Sequence, residues 1–253
     1  MSNFVQNLKL FTMDNLDIKT VADAVTENIK TAHVFKKHGI DFCCGGGISI
    51  QKACEKNNVD FNELVNELNS VENNVSYLND YNSWELDFLI DFITNTHHKY
   101  VEENIILLKQ YGARVAKVHG HHYTELLEIE KLIYAVSDEL TVHMKKEELI
   151  LFPFVKKLVQ AHRDNIAIEI PQFGTVDNPI KMMEEEHDDA GTVFRRLSEL
   201  TNGYQTPDGA CNTFKALYAK LEEFEDDLHQ HVHIENNILF PKAKQLESTV
   251  KKA

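Results

Sequence analysis

Two stretches of this chain place a histidine four residues before a glutamate. They are His143 and Glu147 within HMKKEELILFP (143–153), and His231 and Glu235 within HVHIENNILFP (231–241). His, Glu, Ile, Leu, Phe and Pro coincide between the two at an offset of 88 residues. Upstream of each copy stands a histidine outside the repeat, His98 and His187, at 45 and 44 residues respectively. Residues four apart share a helix face, so each repeat presents one imidazole and one carboxylate together. The apolar tails Ile150-Leu151-Phe152 and Ile238-Leu239-Phe240 belong to helices that must bury a face. His and Glu on a buried face are costly without a partner. Neutral imidazoles and carboxylates converging there are the donors of a metal site.

Four imidazoles and two carboxylates suit iron, with manganese and zinc as rivals. If both glutamates bridge two ions, each ion receives four bonds from the protein. An oxide or hydroxide bridge would make five and leave one position open on each. The expected ligands are His98, His143, Glu147, His187, His231 and Glu235, around two non-haem iron ions. His97 adjoins His98, and only one of the neighbours is expected to face inward; the phase of the second hairpin favours His98. His229 and His233 flank His231, but the repeat pairs His231 with Glu235. His119, His121 and His122 read as loop histidines, and Glu139 and Glu186 as acids near the ligands.

The elements that position these residues follow from apolar periodicity. Four long helices are expected from about Ser83 to Val118, Tyr123 to Gln160, Asn178 to Thr201 and Ala210 to Lys244. The turn-rich stretches around Pro171 and Gly174, and over Asn202–Gly209, separate them. Short connections predict an up-down-up-down four-helix bundle. Each hairpin of the bundle would offer one lone His and one HxxxE, in pseudo-twofold symmetry. Ahead of it, residues 1–75 read as a small helical domain, 76–82 as a linker and 83–253 as the bundle. In the first domain Val21, Ala24, Val25, Ile29, Ala32 and Phe35 recur at helical spacing, Gly39 fits a helix stop, and short helices are expected near 48–57 and 60–69. The fold class is all-α.

Asp41-Phe42-Cys43-Cys44-Gly45-Gly46-Gly47 interrupts the helical pattern as a loop. Adjacent cysteines rarely close a disulfide on each other. The three glycines leave the thiols accessible, and a helix starting near Ile48 would favour thiolate. Cys43 and Cys44 are therefore candidates for redox or soft-metal chemistry. Cys54 and Cys211 are scattered, so the four cysteines form neither a disulfide framework nor a CxxC zinc site.

The net charge of −14 argues against nucleic acid as a partner. No apolar run approaches the roughly 20 residues of a membrane span, and the first ten residues lack a signal-peptide pattern. The cytoplasm is the expected location.

Together DFCCGGG, HMKKEELILFP, MEEEHDDAG and HVHIENNILFP resemble the RIC (repair of iron centres) family of ScdA- and YtfE-like proteins. The resemblance spans nearly the whole chain, from an ScdA-type N-terminal module through a hemerythrin-like domain. It implies the same six ligands and assigns the family's paired cysteines to Cys43 and Cys44. It also implies repair of iron–sulfur clusters damaged by nitric oxide or peroxide, with damaged iron–sulfur proteins as partners and a homodimer as one assembly. Donation of iron, rather than conventional turnover, is the expected mode. Binding or reduction of nitric oxide or dioxygen at the open positions is the alternative.

Overall fold

The computed structural model describes residues 19–71 and 80–250. These residues divide into two compact units. One comprises the chain up to Trp84 together with His233–Ile238, and the other Glu85–Val232 with the residues from Leu239 onward.

In the first unit α1 (Val21–Glu27) begins at Thr20, whose hydroxyl accepts from the Asp23 amide while Asp23 reaches back to the Thr20 amide. This reciprocal cap satisfies two amides that a helix start leaves open. Asn28 ends α1, and a 3-10 turn (Ile29–Thr31) leads into α2 (Ala32–Lys37). The helical spacing seen from Val21 to Phe35 is thus carried by two short helices. The stop at Gly39 is as expected, since it takes φ +66°, open to glycine without strain. Ser49 caps α3 (Ile50–Asn57) and Asp60 caps α4 (Phe61–Ser70). Both are close to the expected spans. Phe35, Ile50, Leu64 and Leu68 fill the core of this unit. The linker expected at 76–82 lies largely outside the described residues.

Four helical rods make up the second unit, the fourth passing through His233–Ile238, which is grouped with the first unit. The first runs through α5 (Leu86–Ile93), a π turn (Thr94–His98) and α6 (Lys99–His119). The second runs through α7 (Leu126–Lys146), a π turn (Glu147–Leu151) and α8 (Phe152–Asp164). The third is α9 (Asp177–Leu200). The fourth runs through α10 (Asn212–Ile234), a π turn (Glu235–Leu239) and α11 (Phe240–Thr249). The second rod packs through α7 on α6 and α9, and through α8 on α5 and α11. The fold is all-α, a four-helix bundle with a small helical N-terminal domain. Leu89, Ile90, Ile93, Phe194, Phe214 and Phe224 are among its fully buried side chains. The rings of Phe194 and Phe224 stack with centroids 5.6 Å apart.

The π turns are the departure from the expected regular helices, and two have a cause in the repeat. Pro153 and Pro241 have no N–H, and their rings crowd the carbonyl four residues back, at Leu149 and Asn237. A widened turn over Glu147–Leu151 and over Glu235–Leu239 relieves that clash while the rod continues. No proline follows Thr94–His98. There, Thr94 Oγ1 donates to the Ile90 carbonyl at 2.9 Å and Asn95 Nδ2 to the Asp91 carbonyl at 2.7 Å, so side chains occupy carbonyls of the preceding turn.

Candidate metal centre

Each π turn begins or ends on an expected ligand: His98 closes the first, Glu147 opens the second and Glu235 opens the third. His143 and His231 lie one turn ahead of the two glutamates, and His187 sits midway along α9. All six side chains are buried, Glu147 and Glu235 completely.

Their donor atoms gather into two groups of four, His98, Glu147, His231 and Glu235, and His143, Glu147, His187 and Glu235, each with its atoms within 4.8 Å of one another. These are the only such groups of three or more among the described residues. The two carboxylates are common to both, so the groups share an edge.

The chemistry of this set fits a metal. Neither oxygen of the fully buried Glu147 carboxylate accepts a hydrogen bond. Its Oε2 faces His98 Nε2 at 3.3 Å and His143 Nε2 at 3.4 Å. A carboxylate withdrawn from water in this way requires positive charge beside it. His143 Nε2 also lies 3.0 Å from His187 Nε2, two ring nitrogens aimed at one point. The far side of two rings is held by acids: His98 Nδ1 donates to Glu148 Oε1 and His143 Nδ1 to Glu186 Oε2, each at 2.9 Å. Such a bond fixes the tautomer, leaving the Nε2 lone pair directed inward, and raises its basicity. Burial pushes both acids up, but hydrogen bonds from Lys145 and His98 to Glu148, and from Lys146 and His143 to Glu186, outweigh it and hold both carboxyls below their usual range. Phe152 stacks on His98 and Phe240 on His187, with centroids 5.7 Å and 6.1 Å apart. These apolar walls are the Phe of each repeat.

His97 corrects an expectation. Both neighbours face inward, His97 at 2% exposure and His98 at 1%, since the widened turn steps the two side chains through a smaller angle. Their roles differ. His98 belongs to a donor group, whereas His97 donates Nδ1–H to Asp227 Oδ1 at 2.9 Å and lies parallel to the His231 ring at 5.3 Å. His119, His121, His122, His229 and His233 enter neither group. His233 is wholly buried, and burial drives its pKa down to about 4.

Glu186 was legible as an acid near a ligand. Glu148 and Asp227 were missed. Asp227 carries a faint signal, since an acid also precedes the repeat histidine by four residues in the other copy, Glu139. Glu148 carries none, because its repeat counterpart is Asn236.

The paired cysteines lie in the first unit. Asp41 Oδ1 accepts from the Cys43 amide at 3.0 Å, the Cys44 amide at 3.1 Å and Cys43 Sγ at 3.3 Å. The sulfurs are 3.9 Å apart, and both thiols are free. Asn237, on the helical turn that belongs to the same unit, donates to the Cys43 carbonyl at 3.1 Å. Cys43 is buried and Cys44 partly exposed. The contact with Cys44, burial and the Asp41 charge push the Cys43 thiol well above its ordinary pKa. The expectation of thiolate near a helix start thus fails for Cys43: α3 begins at Ile50, and the nearest charge is an anion.

Comparison with known proteins agrees with this architecture. Residues 17–72 match the ScdA_N domain, described as a domain of unknown function, and residues 89–243 match the hemerythrin HHE cation binding domain. The chain is similar to the iron-sulfur cluster repair protein ScdA of Staphylococcus epidermidis, 36% identical over 233 residues that cover 88% of this chain and 96% of that protein. ScdA of Staphylococcus haemolyticus is 34% identical over 88% of this chain and 96% of its own length. The iron-sulfur cluster repair protein YtfE of Yersinia pseudotuberculosis is 34% identical over 90% of this chain and 96% of its own.

Proposed function

The chain belongs to the family of ScdA and YtfE iron-sulfur cluster repair proteins, and from that premise we propose that it repairs iron–sulfur clusters by supplying iron from a two-ion centre. His98, Glu147, His231 and Glu235 would hold one ion and His143, Glu147, His187 and Glu235 the other, the two carboxylates being common to both groups. The observation that carries this reading is that two four-donor groups share both of their buried carboxylates. Iron bound there would supply a change of oxidation state, and it would also be the cargo that a damaged cluster lacks.

The protein's own groups set how firmly that cargo is held. Four neutral imidazoles and only two carboxylates attract Fe²⁺ less than an acid-rich site does. Glu148 and Glu186 orient His98 and His143, and Phe152 and Phe240 keep bulk water from two rings. Cys43 and Cys44 serve as the thiol pair that receives iron or electrons, within an N-terminal domain of residues 1–75 that 76–82 joins to the bundle. Repair answers oxidative and nitrosative damage. The cytoplasm is the compartment in which the four free cysteines stay reduced.

The test is to load the protein with ⁵⁷Fe²⁺ anaerobically, mix it with an iron-depleted cluster protein, and follow the label by Mössbauer spectroscopy. Transfer in proportion to cluster recovery is the expected result, and no transfer removes the mechanism. A second reading, binding or reduction of nitric oxide, draws on the four protein donors per ion, which leave positions for a small ligand. Single-turnover nitric oxide chemistry on the diferrous protein separates the two. Absence of both binding and consumption ends that reading.

A further inference from the structure

The two halves of the centre carry different charge behind their imidazoles. Behind His143, Glu186 accepts from Nδ1 through Oε2, and its other oxygen is bonded to Lys146. Behind His98, Glu148 accepts through Oε1, and its other oxygen takes Lys145 Nζ at 2.7 Å. Lys145 divides its charge, because it also bonds Glu102 Oε1 at 3.1 Å. Lys146 is the more buried of the two ammonium groups, at 34% side-chain exposure against 48% for Lys145. A cavity of about 470 Å³ touches His143, Lys146 and Glu186, with Asp138, Glu139 and Asp189 on its wall.

A cation beside a carboxylate weakens that carboxylate's pull on an imidazole N–H. The imidazole then becomes a poorer donor to the metal, since the strength of the outer hydrogen bond sets ligand basicity. The same cation also repels a metal ion directly, and more strongly where water is excluded. Both effects have one sign, and the first is larger for Lys146, whose charge goes to Glu186, than for Lys145, which Glu102 shares. The weaker half is also the half beside the cavity.

We propose that Lys146 is a positioning residue that makes the ion held by His143 and His187 the exchangeable one, while the ion held by His98 and His231 is retained longer. This rests on the two-ion reading above. The ion leaves as Fe²⁺ with no change of oxidation state, and the imidazole and carboxylate donors stay with the protein.

The test uses the full-length protein loaded with two ⁵⁷Fe²⁺ and mixed with excess ferrous chelator under anaerobic reducing conditions. Wild type is expected to release iron in two phases of equal amplitude. Lys146→Met should slow the faster phase by about 3–10-fold, less than the 10–100-fold typical of losing a direct partner of a ligand. The slower phase should stay in place, and Lys146→Arg should behave as wild type. Lys145→Met should touch the slower phase alone. A readout independent of variant folding is Mössbauer spectroscopy of wild type quenched between the phases, where one quadrupole doublet should be lost before the other. Release of both ions in one phase, or a Lys146→Met effect that is absent or equal on both phases, overturns the proposal. Wild type unable to hold two ions refutes the two-ion reading instead, and iron analysis before mixing tells these apart.

Discussion

Glu147→Gln is the sharpest perturbation of the centre, because it should act with opposite sign on the loaded and the metal-free protein. The side chain keeps its shape and loses its charge. Glu147 stands in both donor groups, so both ions lose a carboxylate at once. A ligand at 100 times its dissociation constant adds about 2.7 kcal/mol of stability per site. In a domain of this size 1 kcal/mol moves Tm by about 2–4 °C, so each bound ion should raise wild-type Tm by roughly 5–11 °C. The variant should lose most of that rise for both ions. Without metal the sign reverses. The wild-type carboxylate is fully buried and accepts no hydrogen bond, whereas the Gln amide can donate to His98 or His143 Nε2, 3.3 Å and 3.4 Å from the present Oε2. Relieving one unsatisfied buried group is worth about 1–3 kcal/mol, so the apo variant should melt some 2–12 °C above apo wild type. Scanning calorimetry of apo and anaerobically Fe²⁺-loaded protein, with iron analysis, reads both effects. A variant that holds two ions with the wild-type rise refutes the bridging role. An apo variant that melts well below apo wild type refutes the electrostatic argument.

His98→Ala should bind at least one iron fewer per chain than wild type, whereas His97→Ala should keep both, because His97 braces Asp227 and the His231 ring without joining a donor group; iron analysis after reconstitution decides it. Iodoacetamide at pH 8 should alkylate Cys44 well before Cys43, whose thiol stays protonated beside Asp41, and Asp41→Asn should narrow the gap, as read by peptide mass spectrometry with time. Phe194→Ala should cost about 3–5 kcal/mol, since the ring is fully buried and stacked on Phe224, while the folded fraction keeps its iron content; denaturant unfolding measures it. Arg163→Ala removes an exposed pair with Asp87 and should leave the unfolding midpoint almost unchanged, as denaturant unfolding reads. The Arg163 hydrogen bond holds the Asp87 carboxyl below its usual range, so that small contribution is present near neutrality and is lost only as pH falls below about 4.

The bundle and its donor set were legible because they depend on spacing alone. HxxxE puts two donors on one face whatever the neighbours are, and its recurrence in an apolar context marked that face as buried. His187 and His98 followed from their similar distances to the repeats. What escaped the sequence depends on atoms several turns away. The π turns were hidden, although Pro153 and Pro241 stood in plain view, because a proline can also end a helix; here each rod continues past its proline through a widened turn. Burial of both His97 and His98 follows from the same widening. The upward shift of the Cys43 thiol was hidden as well. DFCC shows an acid two residues away, but not that one oxygen gathers both amides and the thiol.

The duplication that built the donor set did not carry over the charges behind it. Lys145, Lys146 and Glu148 of the first copy correspond to His233, Ile234 and Asn236 of the second. Two hairpins with identical surroundings would hold two ions with equal strength, and a chelator or an acceptor cluster would draw on both alike. Here both lysines and Glu148, the acid Lys145 contacts, stand only on the first hairpin's repeat, and the counterparts of the lysines are fully buried at His233 and Ile234. The repeat therefore accounts for two four-donor groups, while its breaking at 145–148 is what the proposal draws on to make the two ions differ in affinity. A carrier that must keep a core ion while surrendering another requires that difference, and helix periodicity alone cannot supply it.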